Sequence, residues 1–358
     1  MTAVDDLDQQ RAALRMINAA PYNAEAPPEA LAGEITPTSL HYVRSNFAVP
    51  THDGVLAVGG AVENPLTLTL DDLRALPKVE RAVTLECAGN GRLEMRPLPT
   101  GEPWGDYAVS TARWGGALLH EVLQRARPAR DGVDVRFEGA DHGAYHLSAI
   151  LADTSQDDLT FVRALPLALA TDPAAEILIA YEMNGEPLTP DHGAPFRIVV
   201  PHWYAVASVK WLTRIDVLSE PYTGEFQTGH YRYEWPDRAP EPVSLMRVRA
   251  RITDPARGSS IDAGTHTVRG KAWSGTGPVT RVEVSLTGAG EWLEAQLEPP
   301  RGPYHWQEWS FDWEAGAGRH TLRARATDAA GNVQPEVPPW NRLGYGNNAV
   351  EVIYVDVR

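Results

Sequence analysis

One cysteine, Cys87, stands among 358 residues. That scarcity excludes an intrachain disulfide and any zinc or iron–sulfur site built on several thiolates. Nowhere do apolar residues run uninterrupted for ~18 positions, so no membrane-spanning helix is expected. Basic residues are in deficit, 32 against 47 acidic, which leaves a formal charge of −15. A polyanion needs a basic face, so nucleic acid is not an expected partner; a small anion held by a few local arginines remains compatible. Met1–Gln10 carries no basic run before an apolar core and no twin arginine. As written the chain reads as cytoplasmic, or as periplasmic if a leader has been removed.

What is present is a globular composition. Apolar residues make up 43% and charged residues 22%, too apolar for disorder, over a length that accommodates about two cores. Residues 1–35 read as a polar arm, with a short helix expected over Asp5–Ala20 and broken by Pro21, Pro27 and Pro28. Residues 36–240 are mixed. Thr69-Leu70-Asp71-Asp72 is a capped helix start ended by Pro77, and Leu118, Leu119, Val122 and Leu123 mark one face of a second helix. Strands are expected at Val55–Val58, Val133–Phe137, Ile177–Tyr181, Ile198–Val200 and Val206–Leu212. This mixture predicts an α+β domain. The pattern changes at the proline-rich loop Pro236–Pro242. In 241–358 the runs Val282/Val284/Leu286, Trp309/Phe311/Trp313, Leu322/Ala324/Ala326 and Ala349–Val357 alternate between turns, which predicts an all-β sandwich of immunoglobulin type.

Thr84–Arg92 is the most unusual segment. An apolar strand runs into Cys87, then into Gly89-Asn90-Gly91, where glycine permits a sharp turn, and Arg92 returns a cation to the sulfur. A nearby cation favours thiolate, the form that binds a soft metal or attacks an electrophile. Free cysteines are nevertheless more often small buried hydrophobes. Tyr42–Pro50 sets Arg44 among hydrogen-bonding residues, Asp191–Arg197 leads into a buried strand, and Ser208 and Lys210 share one face of an expected strand. Taken singly, each has an ordinary surface or core explanation.

In order along the chain these pieces resemble the molybdenum-dependent sulfite oxidases and their relatives. The resemblance rests on Tyr42–Pro50, Glu86–Asn90 with Arg92, Ser110–Gly116, Ala180–Gly185, Asp191–Arg197, Ser208–Leu212, Lys271–Gly275, Gly331–Pro335 and Trp340-Asn341. It implies a sulfite-oxidase-type molybdopterin-binding domain followed by an immunoglobulin-like domain that mediates homodimerisation. It implies that Cys87 ligates molybdenum, whose other ligands come from a mononucleotide-free pyranopterin and oxo groups. Tyr42, Val43, Arg44, Ser45, Asn46, Asp141, His192, Arg197, Ser208, Val209 and Lys210 match positions around the pterin and its phosphate. Arg44, Arg92 and Tyr181 match the pocket over the metal. Arg342, after Trp340-Asn341, sits one position off the register of a further pocket arginine. Arg163 falls in a loop that approaches the cofactor, with no assigned role.

The activity implied is oxidation of sulfite to sulfate, with electrons passed to an external acceptor such as a c-type cytochrome, since the chain has no Cys-x-x-Cys-His haem motif. Ser45-Asn46 replaces the Asn-His pair that often follows the first arginine in the family. That substitution keeps a nitrate reductase-like or other oxyanion activity as the alternative. A cofactor-free binding protein with Cys87 in its core is the remote one.

Overall fold

The computed structural model describes residues 11–145, 156–288 and 290–358. Strands dominate it, and the helices are few and short, so the helical share of the expected α+β domain is small. Leu70–Arg74 forms as expected. Thr69 Oγ1 accepts from the Asp72 N–H at 3.3 Å while Asp72 Oδ2 accepts from the Thr69 N–H at 2.8 Å, a reciprocal cap. Leu119–Ala126 buries Leu119, Val122, Leu123 and Ala126, one stripe at helical spacing.

Two five-stranded sheets build the first unit. One runs Glu186–Pro187, Leu178–Met183, Val109–Leu118, Val79–Glu86, with Arg197–Val199 also paired to Leu178–Met183, antiparallel throughout. The other runs Leu66–Thr69, Val55–Gly60, Leu212–Leu218, Asp134–Tyr145, Gln156–Pro166; Leu212–Leu218 is parallel to Val55–Gly60 and antiparallel to Asp134–Tyr145. Both sheets feed one apolar core that includes Leu56, Val109, Val122, Phe137, Ile179 and Ile215.

Beyond the proline-rich loop lie a four-stranded sheet (Arg249–Asp254, Gly264–Trp273, Gln307–Ala315, Gln296–Leu297) and a five-stranded sheet (Ser260–Ile261, Glu351–Val357, Gly318–Asp328, Val279–Ser285, Leu293–Glu294). Alternate residues of both, among them Val268, Val282, Val284, Leu322, Ala324 and Ile353, share a separate core. The tryptophans divide by role. Trp309 and Trp313 fill this second core. Trp273 and Trp306 cross the seam into the core of the first unit. Trp292 lies beneath the guanidinium groups of Arg323 and Arg325, at 5.1 and 4.3 Å. No helix among the described residues is long and apolar enough to cross a membrane.

Two expectations are corrected. Arg15–Ala19 is a strand of a hairpin with Tyr22–Glu25, not part of a helix; residues 5–10 of that segment lie outside the described residues. The hairpin docks through Ala24, which exchanges two 2.9 Å backbone hydrogen bonds with Val43, and this tertiary pairing overrides local helix preference. Val206–Leu212 is not a strand either. Ala205–Ala207 is a 3-10 turn, and the strand begins only at Leu212. Ser208 Oγ accepts from the Val200 N–H at 3.0 Å, and Trp211 sits at φ +49°, so Ser208–Trp211 is a loop despite its alternation.

Candidate active site

Strand Val79–Glu86 is paired along its length with Val109–Leu118 and delivers Cys87 at its end. The Cys87 N–H donates to the Ala108 carbonyl and the Asn90 N–H donates to the Cys87 carbonyl, both at 2.9 Å. Gly91 takes φ +80°. A Cβ at Gly89 would come within 2.8 Å of the Arg92 guanidinium and 2.9 Å of Trp104. The turn therefore needs both glycines. Burial pushes the Cys87 thiol pKa up; Arg44, the Gly89 N–H and Arg92 pull it down without cancelling that cost. The chain's own charges do not make the thiolate. A bound metal cation would, because coordination deprotonates a thiol outright.

Beside the sulfur is a cavity. Its lining includes Tyr42, Val43, Arg44, Ser45, Asn46, Cys87, Asp141, His192, Arg197, Ser208 and Lys210, brought together from loops at the ends of both sheets. Arg197 is buried and spends its guanidinium on the carbonyls of His192 (3.1 Å), Ser208 (2.8 Å) and Ile198 (3.3 Å). Lys210 Nζ donates to Ser45 Oγ at 2.8 Å and to the Asp191 carbonyl at 2.9 Å. Both cations bond only neutral oxygens. Burial lowers the Arg197 pKa to about 10; it also pushes the Lys210 ammonium down and the Asp141 carboxyl up, each partly offset by the charge of the other. Among the described residues, Asp141 Oδ1 and His41 Nε2 are buried without a hydrogen-bond partner.

Arg197 and Lys210 are buried cations hydrogen-bonded only to neutral oxygens, and buried polar atoms without partners are costly; a polar anionic ligand would satisfy both. Among the described residues no three His, Cys, Asp or Glu side chains cluster to hold a metal. A metal at Cys87 would therefore take its remaining ligands from a bound group. Cys87 for a soft metal, Arg197, Lys210 and Ser208 for a phosphate, and Asp141 Oδ1 and His41 Nε2 for ring nitrogens fit a molybdenum–pterin cofactor.

Four of the expected site residues do not line the cavity. Arg92 folds beneath the cysteine turn. Its Nε donates to the Leu343 carbonyl at 3.0 Å, its Nη1 to the Glu102 carbonyl at 2.6 Å, and its guanidinium lies 5.0 Å from the Tyr345 ring centre. Tyr181 is 3% exposed in the apolar core. Val209 is wholly buried, its carbonyl accepting from the Ile198 N–H at 2.8 Å. Arg342 is half exposed and ion-paired with Glu234. Arg163, left without a role by the sequence, is a strap. It is buried, with Nη1 on the Phe226 carbonyl and Nη2 on the Val243 carbonyl at 3.0 Å, bracing the segment that carries Tyr231.

Sequence reasoning missed His41, Phe161, Asp191 and Tyr231, all in the lining. Tyr231 lines the cavity, where Tyr181 does not. Arg44 Nη2 donates to its hydroxyl at 3.1 Å, and that hydroxyl donates to Asn46 Oδ1 at 3.1 Å. Asn23, on the hairpin, was missed as well. Its Oδ1 accepts from Arg44 Nη1 at 3.2 Å and from the Ser45 N–H at 2.7 Å. Asn23→Ala is expected to raise the KM for an anionic substrate several-fold with a smaller change in kcat, since it loosens Arg44 without removing it; steady-state kinetics check this.

His41 gives a pH prediction. Burial, with the charges of Arg197 and Lys210, lowers its pKa from the ordinary imidazole range to about 3, even though its Nδ1 faces the Tyr42 carbonyl at 2.9 Å. His192, with its ring centre 5.0 Å away, is lowered in the same way. Stability held by the neutral ring is fully present above the unfolded-state value and is lost as pH falls towards about 3. At full development the loss is on the order of 5 kcal/mol. Urea unfolding midpoints should drop between pH 7 and pH 4, and His41→Leu should flatten that slope.

The family model for the oxidoreductase molybdopterin binding domain matches residues 46–226, and that for the Mo-co oxidoreductase dimerisation domain matches residues 241–357. The chain therefore belongs to the sulfite oxidase family of molybdopterin-dependent oxidoreductases. It is 38% identical to mitochondrial sulfite oxidase of Mus musculus, across 96% of this chain and 66% of that protein. It is 32% identical to sulfite oxidase of Arabidopsis thaliana, across 92% of this chain and 90% of that protein. Its structure matches the sulfane dehydrogenase SoxCD from Paracoccus pantotrophus with a TM-score of 0.81 and 27% identity, covering 95% of this chain and 85% of that one. The chain spans about two thirds of the length of the mouse protein.

Proposed function

We propose that this protein oxidises sulfite: sulfite and water give sulfate, two protons and two electrons, and the electrons pass singly to an external acceptor such as a c-type cytochrome. The observation that carries this reading is the pairing of one cysteine sulfur with Arg44 in a single cavity that also holds Arg197 and Lys210, buried cations whose hydrogen bonds go only to neutral oxygens. When bound, the molybdenum–pterin group supplies a two-electron redox centre with a transferable oxygen.

The chain's part is to bind, orient and neutralise. Cys87 holds the metal. Arg197, Lys210 and Ser208 take the phosphate of a mononucleotide-free pyranopterin, where two cations offset up to two negative charges. Arg44 lies near enough to the sulfur to depress its pKa, and it receives the oxyanion. Tyr231, fixed by Arg44 and Asn46, turns its hydroxyl to the same space. Arg92 serves the site by bracing the cysteine turn rather than by touching substrate.

The domain division at 36–240 and 241–358, after an arm over 1–35, and an immunoglobulin-like character for the second domain belong to the same proposal. The dimerisation-domain match supports a homodimer. The test compares purified enzyme with sulfite plus cytochrome c or ferricyanide against nitrate plus a reduced dye. Sulfite turnover is expected. Nitrate reduction without sulfite oxidation would overturn the substrate assignment.

A further inference from the structure

Glu86 immediately precedes Cys87, and its side chain is buried with 1% of the residue exposed. Such a carboxylate persists only when its oxygens are satisfied. Asn90 Nδ2 (2.9 Å) and Arg249 Nη1 (3.0 Å) donate to Oε1, and Trp273 Nε1 (2.9 Å) donates to Oε2. Arg249 and Trp273 belong to the second unit, where they are direct partners in the ladder between Arg249–Asp254 and Gly264–Trp273. One rigid strand pair thus presents both donors.

The second unit grips the rest of the turn as well. The Gly346 N–H donates to the Ala88 carbonyl at 2.7 Å, and Asn347 Nδ2 donates to the Gly91 carbonyl at 2.6 Å. Asn90 carries the linkage to the cysteine. Its Nδ2 holds Glu86, its Oδ1 accepts from the Ala108 N–H at 3.1 Å, and its own N–H donates to the Cys87 carbonyl. Arg249 is itself fixed by Asp106 Oδ1 at 3.0 Å and the Asn347 carbonyl at 3.1 Å.

We propose that Glu86, Arg249 and Trp273 are positioning residues through which the second unit sets the Cys87 sulfur against the metal. This rests on the reading of Cys87 as the molybdenum ligand. The second unit is then part of the redox centre's tuning as well as an assembly surface. Hydrogen bonds and charges one shell beyond a ligand orient it and alter the metal it holds.

The test uses the holoenzyme. Glu86→Gln keeps the shape and removes the charge; Trp273→Phe keeps the ring and removes one donor. Arg301→Met is the control, because Arg301 pairs across the same seam with Glu34 (2.6 Å) at the exposed surface. The readouts are molybdenum content, the thiolate-to-molybdenum absorption band, steady-state kinetics and thermal unfolding. Glu86→Gln and Trp273→Phe are expected to stay folded, shift the band, and lower kcat by roughly 10-fold with KM nearly constant. Arg301→Met is expected to change none of these.

An unmoved band in both site variants at full metal content would overturn the proposal. So would an equal shift in Arg301→Met, or loss of the fold in both site variants. Absence of the band from the wild-type holoenzyme would instead remove the ligand assignment, and the proposal with it.

Discussion

Cys87→Ser is expected to leave a folded protein that has lost its molybdenum chemistry. The hydrogen bonds that close the turn run through the Cys87 backbone and the Asn90 side chain. They survive an exchange of sulfur for oxygen. Serine is a hard, weakly acidic donor where a soft thiolate is needed, so the electronic contribution of the sulfur goes with it. Removing a group one shell further out costs about 10–100-fold. Loss of the ligand itself should exceed that in kcat, while thermal unfolding moves little. A variant that retains full sulfite turnover would remove Cys87 from the metal.

Arg44→Met should act on KM. Arg44 reaches the cavity from the segment after the 3-10 turn Thr38–Leu40, held by Asn23, Asn46 and Tyr231. A hydrogen bond to a charged group contributes roughly 1.5–3 kcal/mol, so loss of one from the substrate dianion raises KM by about 10–100-fold. Methionine keeps the stem and much of the volume, which separates charge from packing. Arg44→Lys should recover part of the affinity but not all, because an ammonium lacks the planar fork. The Asn23→Ala effect should fall below that of Arg44→Met. An unchanged KM in Arg44→Met would move the oxyanion site elsewhere.

The parts of the site legible in the sequence are those whose chemistry is local. Glu86–Arg92 shows its turn through two glycines, and Tyr42–Asn46 brings its donors as one contiguous run. Alternating apolar positions disclose strands such as Gly318–Asp328 without tertiary information. Residues supplied by distant packing were not legible. Asn23 acts on Arg44 only because the hairpin Arg15–Ala19/Tyr22–Glu25 docks on Val43. Tyr231 follows the short π turn Glu225–Gly229 in no motif, and it reaches the cavity because Arg163 ties Phe226 and Val243 on either side of it.

Where placement failed, a competing partner decided the outcome. Arg342 has Glu234 beside it, and Arg92 has the carbonyls of Leu343 and Glu102. Tyr181 lies on a strand whose neighbours bury it. The Ser208–Trp211 alternation imitates a strand, yet Ser208 and Lys210 line the cavity from a loop.

The central claim is that this fold holds molybdenum through one sulfur in a pterin-filled cavity. It is tested most directly by the molybdenum and pterin content of protein purified from cells able to make the cofactor. Equimolar molybdenum and pterin per chain, with the metal lost in Cys87→Ser, is the predicted result. Folded wild-type protein free of both, or sulfite oxidation undiminished without molybdenum, would contradict it.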